Sequence, residues 1–398
     1  MDNKPFSTVE GKGFLQMMKE LVPLFKVPSR ETIKLRVDEK YEALSSIFKE
    51  YIRKCDSYCL TYDIWTETMK NHSFLGVTIH FLDNLRLLSG TLGVIELHES
   101  HTAAYIEGTM RKLFNEWNVS INKVSACVTD NDSTMMTLNR SLFGEKKKII
   151  LCFAHTLNLV VTQSIDKSTE VSALITKVRD IVKFIKRSVN ASDQLRQKQI
   201  DTGVSTSNTK KMILDVRTRW NSCFYMLERF VQLAPILSEV LLTRPEAPSM
   251  VNAFELNKIK ELIELLKCFE IVTREISADT YVTISKVIPL VSCLTEALTK
   301  ISAQDAIVGE LKSELQKNMN KRFDKLEFNS VLALATVLDP RFKLLHFIDA
   351  LAKKKTVLYI NSFIKDANNS VSTSDTFATE NPFDIWSHHK QLAHQNMK

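Results

Sequence analysis

Apolar positions near the start of the chain recur at helical spacing, with Phe14, Met17, Met18, Leu21 and Leu24 sharing a face up to the breakers Pro23 and Pro28. Ser29-Arg-Glu-Thr then reads as a helix start with Ser29 as N-cap. Tyr41, Leu44, Ile47 and Tyr51 carry an apolar stripe onward, so residues 1–56 are predicted to be a helical segment. The period changes at Tyr58. Residues 58–64 form a short apolar run with an acid, Asp63, near its end. Residues 73–82 alternate, placing Leu75, Val77, Ile79 and Phe81 on one strand face. Residues 86–96 read as a third strand, with Leu88, Leu92 and Val94 on one face and Gly90 between them. The short Asp83-Asn84 connection gives the spacing of an antiparallel meander. A helix over Thr102–Trp117, a strand over Val124–Asp130, a helix from Ser133 and a strand over Ile149–Phe153 complete a mixed α/β sheet.

From residue 156 onward nearly everything carries the helical period, as in Val171, Leu174, Ile175, Val178, Ile181 and Ile185, or Ile259, Leu262, Ile263, Leu266 and Phe269. The polar stretch 189–212 is expected to hold an exposed loop. Residues 366–380 read as a polar linker, followed by one anchored piece, Asn381-Pro-Phe-Asp-Ile-Trp386. No internal repeat of fixed period occurs. The expected organisation is an N-terminal helical segment (1–56), an α/β core (57–165), a helical domain (166–365) and a linker with the start of a further module (366–398). The fold class is therefore α/β plus all-α.

Composition narrows the function classes. A length of 398 residues suits two or three domains, and only 9 Gly and 9 Pro favour long helices over a turn-rich all-β fold. The net charge of +7 permits nucleic-acid binding without establishing it. Its densest runs, Lys146–Lys148 and Lys353–Lys355, read first as solvated helix ends or turns and second as phosphate or nuclear-import patches. Seven scattered cysteines with no C-x-x-C pair argue against a structural zinc site and against a disulfide framework. They read as reduced, mostly core residues. The N-terminus lacks the apolar stretch of a signal peptide, and no apolar run is long enough for a membrane span.

Candidate chemistry rests on Asp63 and Asp130, at the ends of the first and fourth predicted strands. If those strands are neighbours, both carboxylates aim at one spot, and hard cations such as Mg²⁺ need such oxygen ligands. The bland alternative is a turn former or cap, and Asp130-Asn131-Asp132-Ser133 is well suited to cap the next helix. The surrounding wording decides between them. Leu60-Thr-Tyr-Asp63-Ile-Trp65-Thr precedes Asn71-His-Ser-Phe-Leu-Gly-Val-Thr-Ile-His80-Phe. Cys127-Val-Thr-Asp130-Asn131 precedes Cys152-Phe-Ala-His155-Thr-Leu-Asn-Leu. Val216-Arg217-Thr-Arg219-Trp220-Asn221-Ser222 and Leu338-Asp339-Pro-Arg-Phe-Lys343 follow, and Pro5-Phe-Ser and Pro28-Ser-Arg30 open the chain. In these motifs and their order the sequence resembles hAT-superfamily transposases of the BED zinc-finger kind.

That resemblance implies an RNase H-like mixed sheet core with a large helical insertion. It implies that Asp63 and Asp130 match the first two acids of a D-D-E triad, a pair that without the third acid is expected to bind Mg²⁺ only weakly and to position it poorly, and that Cys152 and His155 match the C-x-x-H element beside the active site. Trp220 matches a tryptophan set against DNA, where an indole stacking on an unpaired base is worth about 1–3 kcal/mol. Arg219, with Arg217, is suited to neutralise adjacent phosphates. The bland readings are a buried helix-start aromatic for Trp220, and a core thiol and a satisfied histidine for Cys152 and His155. One Cys and one His cannot close a metal site.

Departures matter equally. The Ser-x-x-Ser-Glu-Arg-like motif holding the third acid is absent from this sequence, as is the upstream zinc-finger pattern. Glu314, Glu327 and Glu380 lack matching neighbours and read as solvated charges. Asp132 replaces a small residue and adds negative charge near the acid pair. The expectation is a transposase-derived, nuclear, DNA-associated protein without a complete active site. It has DNA as partner, no membrane contact, and room for a homo-oligomer or other nuclear proteins. The alternatives are an active transposase or nuclease completed by another chain, and a helical protein-interaction scaffold.

Overall fold

The computed structural model describes residues 4–67, 71–84, 86–144, 148–277, 282–364 and 386–395. It divides into two compact units, 1–150 and 151–398.

In the first unit, helix α1 (Lys12–Leu21) ends at Val22, and α2 (Arg30–Lys54) begins on Ser29. The Ser29 hydroxyl accepts the N–H of Thr32 at 3.2 Å, satisfying one first-turn donor as an N-cap does. The two faces of α2 differ in fate. Ser45 and Ile52 are buried, and Phe48 packs on Phe81 and Trp117 with ring centroids 5.8 Å away in each case. The stripe of Tyr41, Leu44, Ile47 and Tyr51 is a true helix face, but it is 42–54% exposed and is not the face that meets the core.

Strands β1 (Tyr58–Glu67), β2 (His72–Asp83) and β3 (Arg86–Leu97) form the meander. Helix α3 (Ala103–Glu116), strand β4 (Val124–Thr129), helix α4 (Ser133–Phe143) and strand β5 (Lys148–Leu151) follow. The sheet order is β3-β2-β1-β4-β5, with β1–β2 and β2–β3 antiparallel and β1–β4 parallel. Asn84 takes up a left-handed φ of 46° between β2 and β3, a conformation Asn tolerates. Period-two alternation sends Leu60 and Tyr62 of β1 and Leu75, Val77, Ile79 and Phe81 of β2 into one apolar cluster with Ile106, Met110, Leu113 and Phe114 of α3. The opposite face of β1 carries Cys59, Thr61, Asp63 and Trp65, none of them fully buried. β5 ends two residues before the expected Phe153, because Phe153 already belongs to the next helix and the Cys152 carbonyl accepts the N–H of Thr156 at 2.9 Å.

The second unit is built of helices among its described residues: α5 (Phe153–Lys167), α6 (Thr169–Arg187), α7 (Val189–Asp201), α8 (Trp220–Leu242), α9 (Ala253–Ile276), α10 (Val287–Lys300), α11 (Ala306–Phe323), α12 (Ser330–Leu338), α13 (Ala350–Ile364) and α14 (Ser387–Gln395). The apolar stripes of α6 and α9 are buried as their period requires. The expected loop over 189–212 is corrected in its first half, which is α7. Ser188 caps it by accepting the N–H of Ala191, and Ala191, Leu195 and Gln199 are buried. Gln199 exchanges two hydrogen bonds with the backbone of Lys210, at 2.8 and 3.0 Å, so this polar residue ties the following segment down. The expected linker 366–380 lies outside the described residues, as do Lys146 and Lys147. Of the anchored piece only Trp386 is described, and its ring stacks on Phe342 at 5.5 Å. No disulfide joins the seven cysteines, and burial pushes the thiol of Cys127 up to about 11 and those of Cys223 and Cys268 up to about 12. No described helix is long and apolar enough to cross a membrane.

Candidate functional site

The parallel ladder between β1 and β4 ends at the pair Thr61–Val128. Asp63 and Asp130 each stand two residues beyond that pair, Asp63 still within β1 and Asp130 as the first residue after β4. Asp63 is inside β1 rather than at its end, because pairing with β2, Asp63 opposite Gly76, carries β1 on to Glu67. Asp63 is exposed and Asp130 half-buried.

The cap of α4 is Asp132, not Asp130. Its carboxylate accepts the N–H of Thr134 at 2.8 Å. Burial opposes its charge, but bonds from the N–H and hydroxyl of Thr134 and the N–H groups of Met135 and Ser133 outweigh burial and hold the carboxyl below its usual range. The extra acid is thus engaged by the helix N-terminus, where negative charge is favoured.

Trp65 shares the face of Asp63. Its ring stacks on Phe74 at 5.9 Å and lies across Gly76, where a Cβ would stand 2.8 Å from the indole. Trp65 is a motif residue whose place on this face follows from period-two alternation with Asp63, a signal present in the sequence. Paired carboxylates are the donors Mg²⁺ takes. Among the described residues, no group of three or more His, Cys, Asp or Glu is arranged to hold a metal ion. Glu314 and Glu327 are not merely solvated. Glu314 accepts from Lys167 at 2.7 Å and from Asn318 at 3.3 Å, and Glu327 accepts the N–H groups of Ile348 and Asp349 at 2.8 and 2.9 Å. Glu380 lies outside the described residues.

In the second unit, Cys152 precedes α5, and His155 and Asn158 follow at one-turn spacing on one helix face. Asn158 is the residue that sequence reasoning missed. Helix α8 has Arg219 at its N-cap, a side chain with no acceptor, so its first N–H groups need another partner. Asn158 supplies it: its Oδ1 accepts the N–H of Trp220 at 2.9 Å, and its Nδ2 donates to the Thr218 carbonyl at 3.3 Å. The C-x-x-H helix and the Arg-Thr-Arg-Trp stretch are thereby joined, and Arg217 and Arg219 stay exposed.

Trp220 is placed differently from the expectation. It is 4% exposed, edge-on to Phe224 and Phe269 at 6.5 and 6.2 Å, with its indole N–H buried and unpartnered. The reason is the stripe of α8: Trp220, Phe224, Leu227 and Phe230 recur at helical spacing and all face the core. In this structure the ring offers no surface to a base.

Residues 61–152 match the family described as the ZBED1 RNase-like domain, and residues 150–265 the ZBED1 RNase-like helical domain. Over 99% of its length the chain is 24% identical to zinc finger BED domain-containing protein 4 of Homo sapiens, covering 34% of that protein. It is 23% identical to zinc finger BED domain-containing protein RICESLEEPER 2 of Oryza sativa subsp. japonica, over 85% of this chain and 48% of that one. It is 24% identical to the transposable element Hobo transposase of Drosophila melanogaster, over 80% of this chain and 48% of that one. The chain belongs to the hAT transposase and BED zinc-finger protein family. Within this hAT-type chain, the acid pair sits in the RNase-like part and the Arg217–Trp220 stretch in the helical part. The change of domain at residues 150–152 coincides with the division between the two compact units. The chain spans between 34% and 48% of the length of these relatives.

Proposed function

We propose that this transposase-derived chain is a nuclear, DNA-associated protein that does not carry out transposition chemistry by itself. The observation that supports this most is the acid pair. Asp63 and Asp130 each follow the last pair of the parallel β1–β4 ladder by two residues, yet among the described residues no group of three or more His, Cys, Asp or Glu is arranged to hold a metal ion. Two carboxylates fit part of a Mg²⁺ site; they would hold the ion weakly and orient it poorly, since hard cations take about six oxygen ligands. The ion would supply activation of water or a 3′-hydroxyl toward a phosphate. DNA association draws on the exposed Arg217 and Arg219 and on the transposases among the relatives.

A second reading, a helical protein-interaction scaffold, draws on the burial of Trp220, which removes the stacking ring from the surface. Titration of the full chain into labelled duplex and hairpin DNA with Mg²⁺, at two salt concentrations, separates the readings. Binding that weakens steeply with salt, without cleavage and indifferent to Asp63→Asn and Asp130→Asn, is the expected result. Cleavage abolished by either substitution would mean that the chain is an active nuclease and would overturn the claim of inactivity. Salt-indifferent absence of binding would leave the scaffold.

A further inference from the structure

Between α7 and α8 the chain has only one short 3₁₀ turn, Thr206–Asn208, yet the end of this loop is fastened at nearly every residue. Asp215 is gripped by Arg179 of α6 through three bonds, at 2.9 and 3.1 Å from Nε and 2.8 Å from Nη2. Their side chains are 3% and 13% exposed, and the Asp215 hydrogen bonds hold the Arg179 guanidinium above its ordinary range against burial. The Val216 N–H donates to Ser222 Oγ at 2.7 Å, and the single proton of that hydroxyl is shared between the carbonyls of Arg219 and Val216, at 2.6 and 2.9 Å. Asn158 holds the Thr218 carbonyl and the Trp220 N–H. Arg217 therefore sits between two tied residues, and so does Arg219. Both side chains point to solvent, in contrast to Arg179.

We propose that Asn158 and the Arg179–Asp215 pair are positioning residues that fix the loop 215–219 so that Arg217 and Arg219 meet neighbouring phosphates of duplex DNA; this rests on the DNA-associated reading above. A loop left free would lose its conformational entropy on binding, whereas one ordered at folding brings its charges already placed. A buried ion pair is weak evidence for stability, because desolvation offsets its attraction, but a bidentate fork fixes geometry. Asn158 adds a neutral fork from α5, so the loop is referenced to two helices, α5 and α6.

The test is a double-mutant cycle on the full chain, read as duplex DNA affinity by fluorescence anisotropy at several low salt concentrations. Replacing Arg217 and Arg219 together by Ala is expected to make the dependence of log K on log salt shallower by about two units. Asn158→Ala is expected to weaken binding roughly tenfold in the parent chain and to leave the doubly substituted chain unchanged, the coupling of a group that acts through the arginines. Arg179→Lys keeps the charge but loses the fork. It should weaken binding several-fold in the same background-dependent way, and it stands in if Asn158→Ala fails to fold by circular dichroism. Folded Asn158→Ala and Arg179→Lys chains that bind like the parent, or that weaken binding equally in both backgrounds, would overturn the positioning role while leaving the DNA reading intact. Undiminished binding by the doubly substituted chain would overturn both.

Discussion

At Gly90 an added methyl group has no room. Its Cβ would stand 2.3 Å from Phe48 Cζ, and Phe48 is itself held between Phe81 and Trp117. At Gly76 the clash is 2.8 Å, but against the rim of a ring that is 42% exposed and able to give way. Gly90→Ala is therefore expected to destabilise by about 1–3 kcal/mol, the usual range for overpacking, and Gly76→Ala by less. Urea unfolding of the two chains compares them directly, and equal losses would mean that Phe48 is not fixed. The same contrast explains what the sequence could show at single positions. That Asp63 and Asp130 lie near the ends of one parallel ladder was legible, because the short apolar runs before them mark β1 and β4. Trp220 was not, because its burial depends on which face of α8 meets α9, a tertiary fact that a local motif does not carry. Asn158 was invisible for a related reason: its partners are 60 and 62 residues away in the chain.

Among the elements, α2 shows how far periodicity reaches. Its apolar stripe was found, but the stripe is the outer face, and the face that packs on the sheet is marked by a small buried Ser45 together with Phe48 and Ile52. A pattern that is apolar on more than one side does not say which side the fold will use. The energetic consequence is measurable. Ile52→Ala deletes buried volume at 1% exposure and is expected to cost about 2–5 kcal/mol, whereas Leu44→Ser at 53% exposure should change stability by less than about 0.5 kcal/mol. Thermal melts of both variants check this, and a large loss for Leu44→Ser would indicate that the outer face is covered in solution. Helix α7 teaches the complementary point. Polar composition suggested a loop, but Ser188 caps the helix and Gln199 is buried with its amide satisfied by Lys210. Hydrogen bonding can place a polar residue inside at little net cost.

For the molecule as a whole, the second unit carries a built-in response to acid. Trp386, His388 and His389 pack on Phe342 and His346, and His346 Nε2 lies 2.8 Å from His389 Nδ1. One of these nitrogens donates and the other accepts, so the bond cannot exist with both rings protonated. Burial first, then the neighbouring charges of His389 and His388, pushes His346 down to about 3. Burial, then Arg341 and His388, also lowers His389, with Asp339 acting the other way. Both groups are thus held neutral by folding, whereas in the unfolded chain they take up protons near pH 6.5. Their contribution is fully present above about pH 6.5 and is lost as pH falls toward the folded value of His346. Between about pH 6.5 and 5 ordinary carboxylates remain charged, so that window isolates the histidines. There the stability should fall by up to about 1.4 kcal/mol per pH unit for His346, and by less for the half-buried His389. His346→Phe keeps a ring against Phe342 and His389 but cannot titrate, so its unfolding midpoint should depend less steeply on pH across the same window. Parallel pH profiles for the parent and His346→Phe chains would show that this pair does not set the acid limit. A flatter profile for the variant would show that an intramolecular contact between α14 and the segment before α13 governs how the helical unit survives mild acid.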